Sequence, residues 1–322
     1  MYKVIMAPTD GSATGQAAIA LATRLAQRFD ADLRLVRVDT PQMMIEPLAG
    51  TAVFAATENA LAEARLARLR KLEALGAECR TLGEIRVITA LEEGPAAATL
   101  RDYAERFHVD LIVMASHARG GIARITLGSV TDYLIRNTDV PVFVVKPSVA
   151  LTAAGVGESV NRIVVPLDGS GLAEEILPQV ALLASGLKAT VSLLQVLTPG
   201  TYSQKQIMQP GLPWWDGDIA AANEYLEKVA AYFTEAGITV SYDVVLSENA
   251  VGAILDYANR ARGDLIAIAT RGTGGLGRLI FGSVADEITR KATTSILVFH
   301  PRTIVSESTN GAAAAAERYS AV

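Results

Sequence analysis

The chain repeats itself at about half its length, and a duplication of that period specifies two copies of one domain rather than a solenoid array. The segment Val4-Ile5-Met6-Ala7-Pro8-Thr9-Asp10-Gly11-Ser12 matches Ile163-Val164-Val165-Pro166-Leu167-Asp168-Gly169-Ser170, each an apolar run ending in Asp-Gly-Ser. Further on, Asp110-Leu111-Ile112 aligns with Asp264-Leu265-Ile266. From there Gly120-Gly121, Arg124, Gly128-Ser129-Val130, Asp132, Arg136 and Pro147 stay in step with Gly274-Gly275, Arg278, Gly282-Ser283-Val284, Asp286, Arg290 and Pro301. A chain of 322 residues, half of them hydrophobic, is long enough to give each copy its own core. The expected domains are residues 1–148 and 161–302, joined by a small-residue linker over 149–160. A Ser-, Thr- and Ala-rich tail over 303–322 is expected to fray.

Within each copy strand and helix patterns alternate, which implies an α/β domain with an open parallel sheet covered on both faces. Strands are expected near residues 2–8, 32–38, 84–90, 110–115 and 141–146, and again near 161–167, 189–196, 238–245, 264–269 and 295–300. Runs such as Leu111-Ile112-Val113-Met114 and Val142-Phe143-Val144-Val145 are apolar without alternation, as strands buried on both faces should be.

The formal charge is −5 and there is no basic run, which argues against a nucleic-acid partner. Cys79 stands alone, so no intrachain disulfide can form and no cysteine-based zinc site is expected. The N-terminus lacks a signal-peptide pattern, and no apolar stretch approaches the roughly 20 residues of a membrane helix. A soluble, cytoplasmic protein that does not engage a membrane is the expectation.

Ligands of open parallel sheets lie beyond the carboxyl ends of the strands, where neighbouring connections diverge. Strand one ends there at Asp10 or Asp168. Strand four ends there in a Gly-rich loop, Ala115-Ser116-His117-Ala118-Arg119-Gly120-Gly121 or Ala269-Thr270-Arg271-Gly272-Thr273-Gly274-Gly275, which runs on to Gly-Ser at a helix start. Glycines admit close backbone approach and a helix start presents unpaired N–H groups, so a polyanion suits the place. The two aspartates would repel phosphates, and fit a sugar hydroxyl or a divalent cation instead. Two bland readings stand beside this one: Ser129-Val130-Thr131-Asp132 and Ser283-Val284-Ala285-Asp286 as capping boxes, and Asp10 and Asp168 as helix caps.

Taken together, the Asp-Gly-Ser strand end, the Asp-Leu-Ile strand, the Gly-rich loop and the Gly-Ser-Val helix start resemble the universal stress protein superfamily over nearly the whole chain, twice. The resemblance implies a Rossmann-like, adenine nucleotide alpha hydrolase-like fold with strand order 3-2-1-4-5. It also implies that the last strands, Val142 to Lys146 and Ile296 to His300, adjoin around a pseudo-two-fold, as an intramolecular pseudo-dimer or within a homodimer. The nucleotide-binding branch has Gly, two residues, Gly, nine residues, then Gly-Ser or Gly-Thr. The second copy follows it with Ala269, Gly272, Gly282 and Ser283, whereas the first has Ala115, Ala118, Gly128 and Ser129. ATP, with Mg²⁺ as its natural counter-ion, is therefore expected chiefly in the second copy, on Pro166, Leu167, Asp168, Val196, Ala269, Arg271, Gly272, Gly282, Ser283 and Val284. The first-copy counterparts are Asp10, Val38, Ala115, Gly128, Ser129 and Val130, with main-chain groups at Val38 and Val196 meeting the adenine.

A stress-response sensor or regulator fits better than an enzyme: there is no Walker-type Gly-Lys-Ser/Thr, no evident base, no catalytic residue and no clustered metal ligands, leaving at most a slow ATPase. The alternative is a nucleotide-independent interaction module of the same fold. His117 reads as solvated, and His108 and His300 are spaced like no metal site. Trp214 and Trp215, and Met43, Met44 and Phe54, read as packed onto their own domains rather than as lids, and the charged stretch 63–72 as a solvated helix face.

Overall fold

A computed structural model describes residues 1–40, 58–82, 84–116, 127–146, 160–198, 215–270 and 282–301. The first half contains β1 (Val4–Pro8), α1 (Ala13–Phe29), β2 (Asp32–Asp39), α2 (Glu58–Thr81), β3 (Val87–Glu93), α3 (Ala96–Arg106), β4 (Leu111–Ala115), α4 (Ser129–Asn137) and β5 (Val142–Val145). The second contains β6 (Arg162–Leu167), α5 (Gly171–Glu174), α6 (Leu177–Leu187), β7 (Thr190–Leu197), α7 (Trp215–Glu235), β8 (Val240–Leu246), α8 (Ala250–Arg260), β9 (Leu265–Ala269), α9 (Ser283–Lys291) and β10 (Ser295–Phe299).

The strands form one ten-stranded sheet in the order β3-β2-β1-β4-β5-β10-β9-β6-β7-β8. Each half has the expected order 3-2-1-4-5 and is parallel throughout, while β5 and β10 pair antiparallel through Val144↔Ile296, Phe143↔Leu297 and Val142↔Val298. That junction joins the two last strands and leaves β3 and β8 as the sheet edges.

Alternation along the strands sorts side chains onto two apolar layers that run through both halves. Ile5, Phe143 and Leu297 belong to the layer beneath α1, α2, α6 and α7; Met6, Val144 and Ile296 belong to the layer beneath α3, α4, α8 and α9. Both layers cross the seam between halves. On one face Phe29 of α1 lies against Gly186 of α6, and the Tyr2 hydroxyl donates to Gln179 Oε1 at 2.9 Å. On the other, Arg136 of α4 bonds Asp286 of α9 at 2.6 Å, and the buried Lys146 Nζ donates to the Thr289 carbonyl at 3.0 Å.

Two strands start later than the sequence suggests. Expected near 84–90, β3 runs Val87–Glu93 because it follows β2 residue for residue from Leu33↔Val87 to Asp39↔Glu93. Expected near 238–245, β8 begins at Val240, since Gly237 (φ +72°) and Ile238 are still closing α7 through the Gly237 N–H on Thr234 O and the Ile238 N–H on Phe233 O. The first helix also differs between copies. A single α1 in the first half becomes α5 and α6 in the second, where Pro178 in the first turn of α6 has no N–H to continue the helical ladder.

Candidate functional site

The Asp-Gly-Ser turns close the carboxyl ends of β1 and β6, each flanked by strands whose connections leave in opposite directions. Gly11 and Gly169 sit at φ +81° and +80°, a conformation that glycine adopts without the steric cost of a Cβ. The Ser12 and Ser170 N–H groups donate to Oδ1 of Asp10 and Asp168, both at 2.9 Å. Ser12 Oγ and Ser170 Oγ accept in turn from the Gly15 and Ala173 N–H groups. The serines are thus the helix caps, and both aspartates are exposed at the strand ends with one oxygen fixed by the turn.

Main-chain groups face the same mouth. Along β7 the Thr190 N–H bonds Asn161 O on the β6 side and the Val191 N–H bonds Thr239 O on the β8 side, so even-numbered residues point toward β6. Pairing with β6 runs to Leu167↔Gln195, and the offset of the Thr190–Asn161 bond directs the Val196 N–H at Leu167 O, so it is the C=O of the half-buried Val196 that projects past the end of β6. Val38 stands likewise in the first half, beyond the bond from the Thr9 N–H to Val36 O. Pro166 and Leu167 are the last two residues of β6, Pro166 half-buried and Leu167 buried.

The capping-box reading of the Gly-Ser segments is not what forms. Gly128 and Gly282 occupy the N-cap positions of α4 and α9 with no side-chain cap, and Ser129 and Ser283 are the first helical residues, both exposed. The first N–H groups of these helices therefore lack helical partners. Asp132 and Asp286 do not turn back to the caps. They bond Arg136 and Arg290 one turn on.

At Gly282 φ is −59° and ψ 135°, values open to any residue, and a Cβ built there would meet nothing within 4 Å. Neither backbone strain nor crowding explains the glycine, and among the described residues nothing fills the space in front of the helix start. Val284 beside it is 39 % exposed, and Val130 half-buried. Ala115 and Ala269 close β4 and β9 in regular pairing with Val145 and Phe299, so an alanine costs the backbone nothing there. Arg271 and Gly272 lie outside the described residues, as do His117, Ala118, Trp214, Met43, Met44, Phe54 and the remaining loop glycines. Of the other histidines, His108 is at φ +47° in the turn after α3, and His300 Nδ1 lies 3.1 Å from Thr270 Oγ1.

Sequence reading missed the residue under each turn. Arg37 places Nη1 2.9 Å from where a Cβ on Gly11 would be and lies 3.8 Å from Asp39, which also accepts from Arg68 Nε at 2.8 Å. Gln195 is its counterpart beneath Gly169, 7 % exposed, and its Oε1 has no hydrogen-bond partner among the described residues. Such an orphan costs about 1–3 kcal/mol. A polar residue between Leu193 and Leu197 on an apolar strand face was the available signal. A cavity of about 650 Å³ opens elsewhere, between the end of β8 and α8, lined by residues such as Leu246, Asn249 and Asp256.

The family model for the universal stress proteins matches residues 1–146 and again 159–300. The chain belongs to the universal stress protein family. A universal stress protein of Mycolicibacterium smegmatis is 25% identical over 303 residues, 92% of this chain and 97% of that protein. One of Methanocaldococcus jannaschii is 32% identical over 149 residues, 45% of this chain and 83% of the relative, as expected where a chain with two copies meets a protein about the size of one. Among solved structures, a universal stress protein from Archaeoglobus fulgidus superposes with a TM-score of 0.69 at 18% identity, covering 92% of this chain and 98% of that one. The fold of this tandem universal stress protein is thus shared over both halves. Among the described residues, no helix is long and apolar enough to cross a membrane.

Proposed function

We propose that the protein binds ATP or a related adenine nucleotide with Mg²⁺, chiefly in its second half, and that occupancy serves as a stress-response signal. The observation that carries the reading is the open, uncapped start of α9. Among the described residues Gly282 has neither a backbone nor a packing reason to be glycine, and it stands at the same sheet end as Asp168 and the projecting carbonyl of Val196. A phosphate accepts hydrogen bonds and carries negative charge, which the free N–H groups and the positive end of the helix dipole favour. Asp168 suits a sugar hydroxyl or the cation, and the C=O of Val196 suits the exocyclic amine of adenine as its donor. The resemblance of the Gly272 and Gly282-Ser283 spacing to the family's nucleotide-binding branch supports the same reading.

Calorimetric titration with Mg·ATP, together with mass spectrometry of gently purified protein, tests it. Saturable binding is expected, weakened at least about tenfold by Ser283→Ala, the worth of one hydrogen bond to a charged group. No bound nucleotide and no heat of binding would overturn the reading in favour of a nucleotide-independent interaction module. Labelled-ATP turnover above background, abolished by Ser283→Ala, would make the site catalytic rather than sensory.

A further inference from the structure

We infer that Gln195 is a ligand-contacting residue of the second-half site, whose side-chain carbonyl accepts a hydrogen bond from a sugar hydroxyl of the nucleotide; this rests on the nucleotide reading above. Gln195 is buried to more than nine-tenths, and Oε1 has no hydrogen-bond partner among the described residues. The amide lies by the turn that presents Asp168: its Nε2 is 3.8 Å from where a Cβ on Gly169 would sit, and Gln195 pairs in register with Leu167, the residue before that aspartate. A buried acceptor with no donor among the described residues calls for a donor from elsewhere, and a ligand at this mouth supplies one.

An adenine nucleotide has few neutral donors to offer. Its phosphates only accept, and its exocyclic amine is taken by the main chain of Val196 in the reading above, which leaves the sugar hydroxyls. The first half supplies the contrast. There Arg37 fills the equivalent place: its Nε makes no hydrogen bond among the described residues but lies 3.8 Å from the charge of Asp39, whose own counterpart in the second half is the apolar Leu197. The two mouths are therefore not equivalent: a paired cation, which can only donate, lies under one turn, and an acceptor lies under the other.

The test compares wild type, Gln195→Leu and Gln195→Arg by Mg·ATP calorimetry and by thermal unfolding without ligand. The arginine variant installs the residue that the first half already accommodates, so it guards against misfolding of the leucine one. Both are expected to bind Mg·ATP at least about fivefold more weakly, the worth of one neutral hydrogen bond. Gln195→Leu should leave the ligand-free midpoint unchanged or raised, because it removes an orphan amide, whereas a merely structural glutamine would lower it. With 2′-deoxy-ATP and 3′-deoxy-ATP, wild type should lose a similar factor on one analogue to which Gln195→Leu is indifferent. Affinities of the variants within threefold of wild type would overturn the role of Gln195 while leaving the nucleotide reading intact. Losses from analogue and variant that simply multiply would overturn the sugar contact. Absence of wild-type binding would overturn the nucleotide reading itself, and this inference with it.

Discussion

The two halves hold the Asp-Gly-Ser turn in the same backbone conformation, φ +81° at Gly11 and +80° at Gly169, but surround it with different chemistry. Under Gly11 lies a charged chain, Arg37 to Asp39 to Arg68; under Gly169 lies Gln195 between two leucines. Backbone geometry is retained where only glycine fits, and the side chains that would meet a ligand have diverged. The duplicated frame is common to both halves, and the chemistry beneath its turns is not.

Placing a carboxylate on each helix start sets the halves against one another most strongly. In the second half, Gly282→Asp introduces a negative charge and bulk where the phosphates are proposed to lie, and binding of Mg·ATP should fall on the order of 100-fold, about 2.7 kcal/mol. Aspartate is a good N-cap and the space is open, so the ligand-free protein should gain a few tenths of a kcal/mol. Gly128→Asp should leave the tight site untouched. Equal losses of binding from the two variants would erase the distinction between the halves.

The seam is asymmetric too. Phe29 packs on Gly186, whereas the residues at the mirrored positions are Arg28 and Leu187. A methyl on Gly186 would overlap the Phe29 ring, so Gly186→Ala should cost about 1–3 kcal/mol in urea unfolding. The same substitution in a Phe29→Leu background should cost clearly less. Undiminished cost there would mean that the strain lies in α6 and not across the halves.

The frame was legible in the sequence because it is written twice. Every strand was anticipated, since apolar runs buried on both faces carry a strong local signal, and the junction of β5 with β10 followed from the resemblance. The starts of β3 and β8 were not, because they depend on register with β2 and on how α7 closes, neither of which is local. At the site, Asp168 and Gly282 were visible as motif residues, but Ser170 rather than Asp168 proved to be the cap, and Gly282 rather than Ser283. The roles of Arg37 and Gln195 depend on what lies under a turn, which strand pairing decides.

The ends of the last strands give the next contrast, read by pH. At equivalent positions the first half buries Lys146 and the second His300. Burial lowers the Lys146 ammonium to about 8 and pushes His300 below its ordinary value. For both, the folded state holds its proton less tightly than the unfolded chain, so stability rises with pH across the window between the two values. Lys146 should therefore contribute a rise between about pH 8 and 10.5, which Lys146→Met removes. His300 should contribute a loss as pH falls below about 6.5, which His300→Gln removes. Urea midpoints measured from pH 5 to 10.5 check both, and a single step at either end would show that only one half carries its buried base at a cost.

The smallest effect concerns the charges that tie α4 to α9. Asp286 bonds both Arg136 of the other half (2.6 Å) and Arg290 of its own helix (3.0 Å), whereas Asp132 bonds Arg136 at 3.0 Å and lies 3.9 Å from Arg290. The hydrogen bond from Arg290, and then that from Arg136, hold the Asp286 carboxyl below its ordinary value against partial desolvation. Its contribution is thus present above the ordinary carboxylate range near pH 4 and lost as pH falls through the folded-state value. These pairs are partly exposed, so Asp286→Asn should cost no more than about 1 kcal/mol at neutral pH, and Asp132→Asn less. Because Asp286 alone makes close bonds to both arginines, its loss should loosen the seam and its neighbour's should barely do so. Equal costs, or a cost for Asp286→Asn that does not begin to shrink as pH falls below about 4, would mean that the cluster contributes through packing and not through charge.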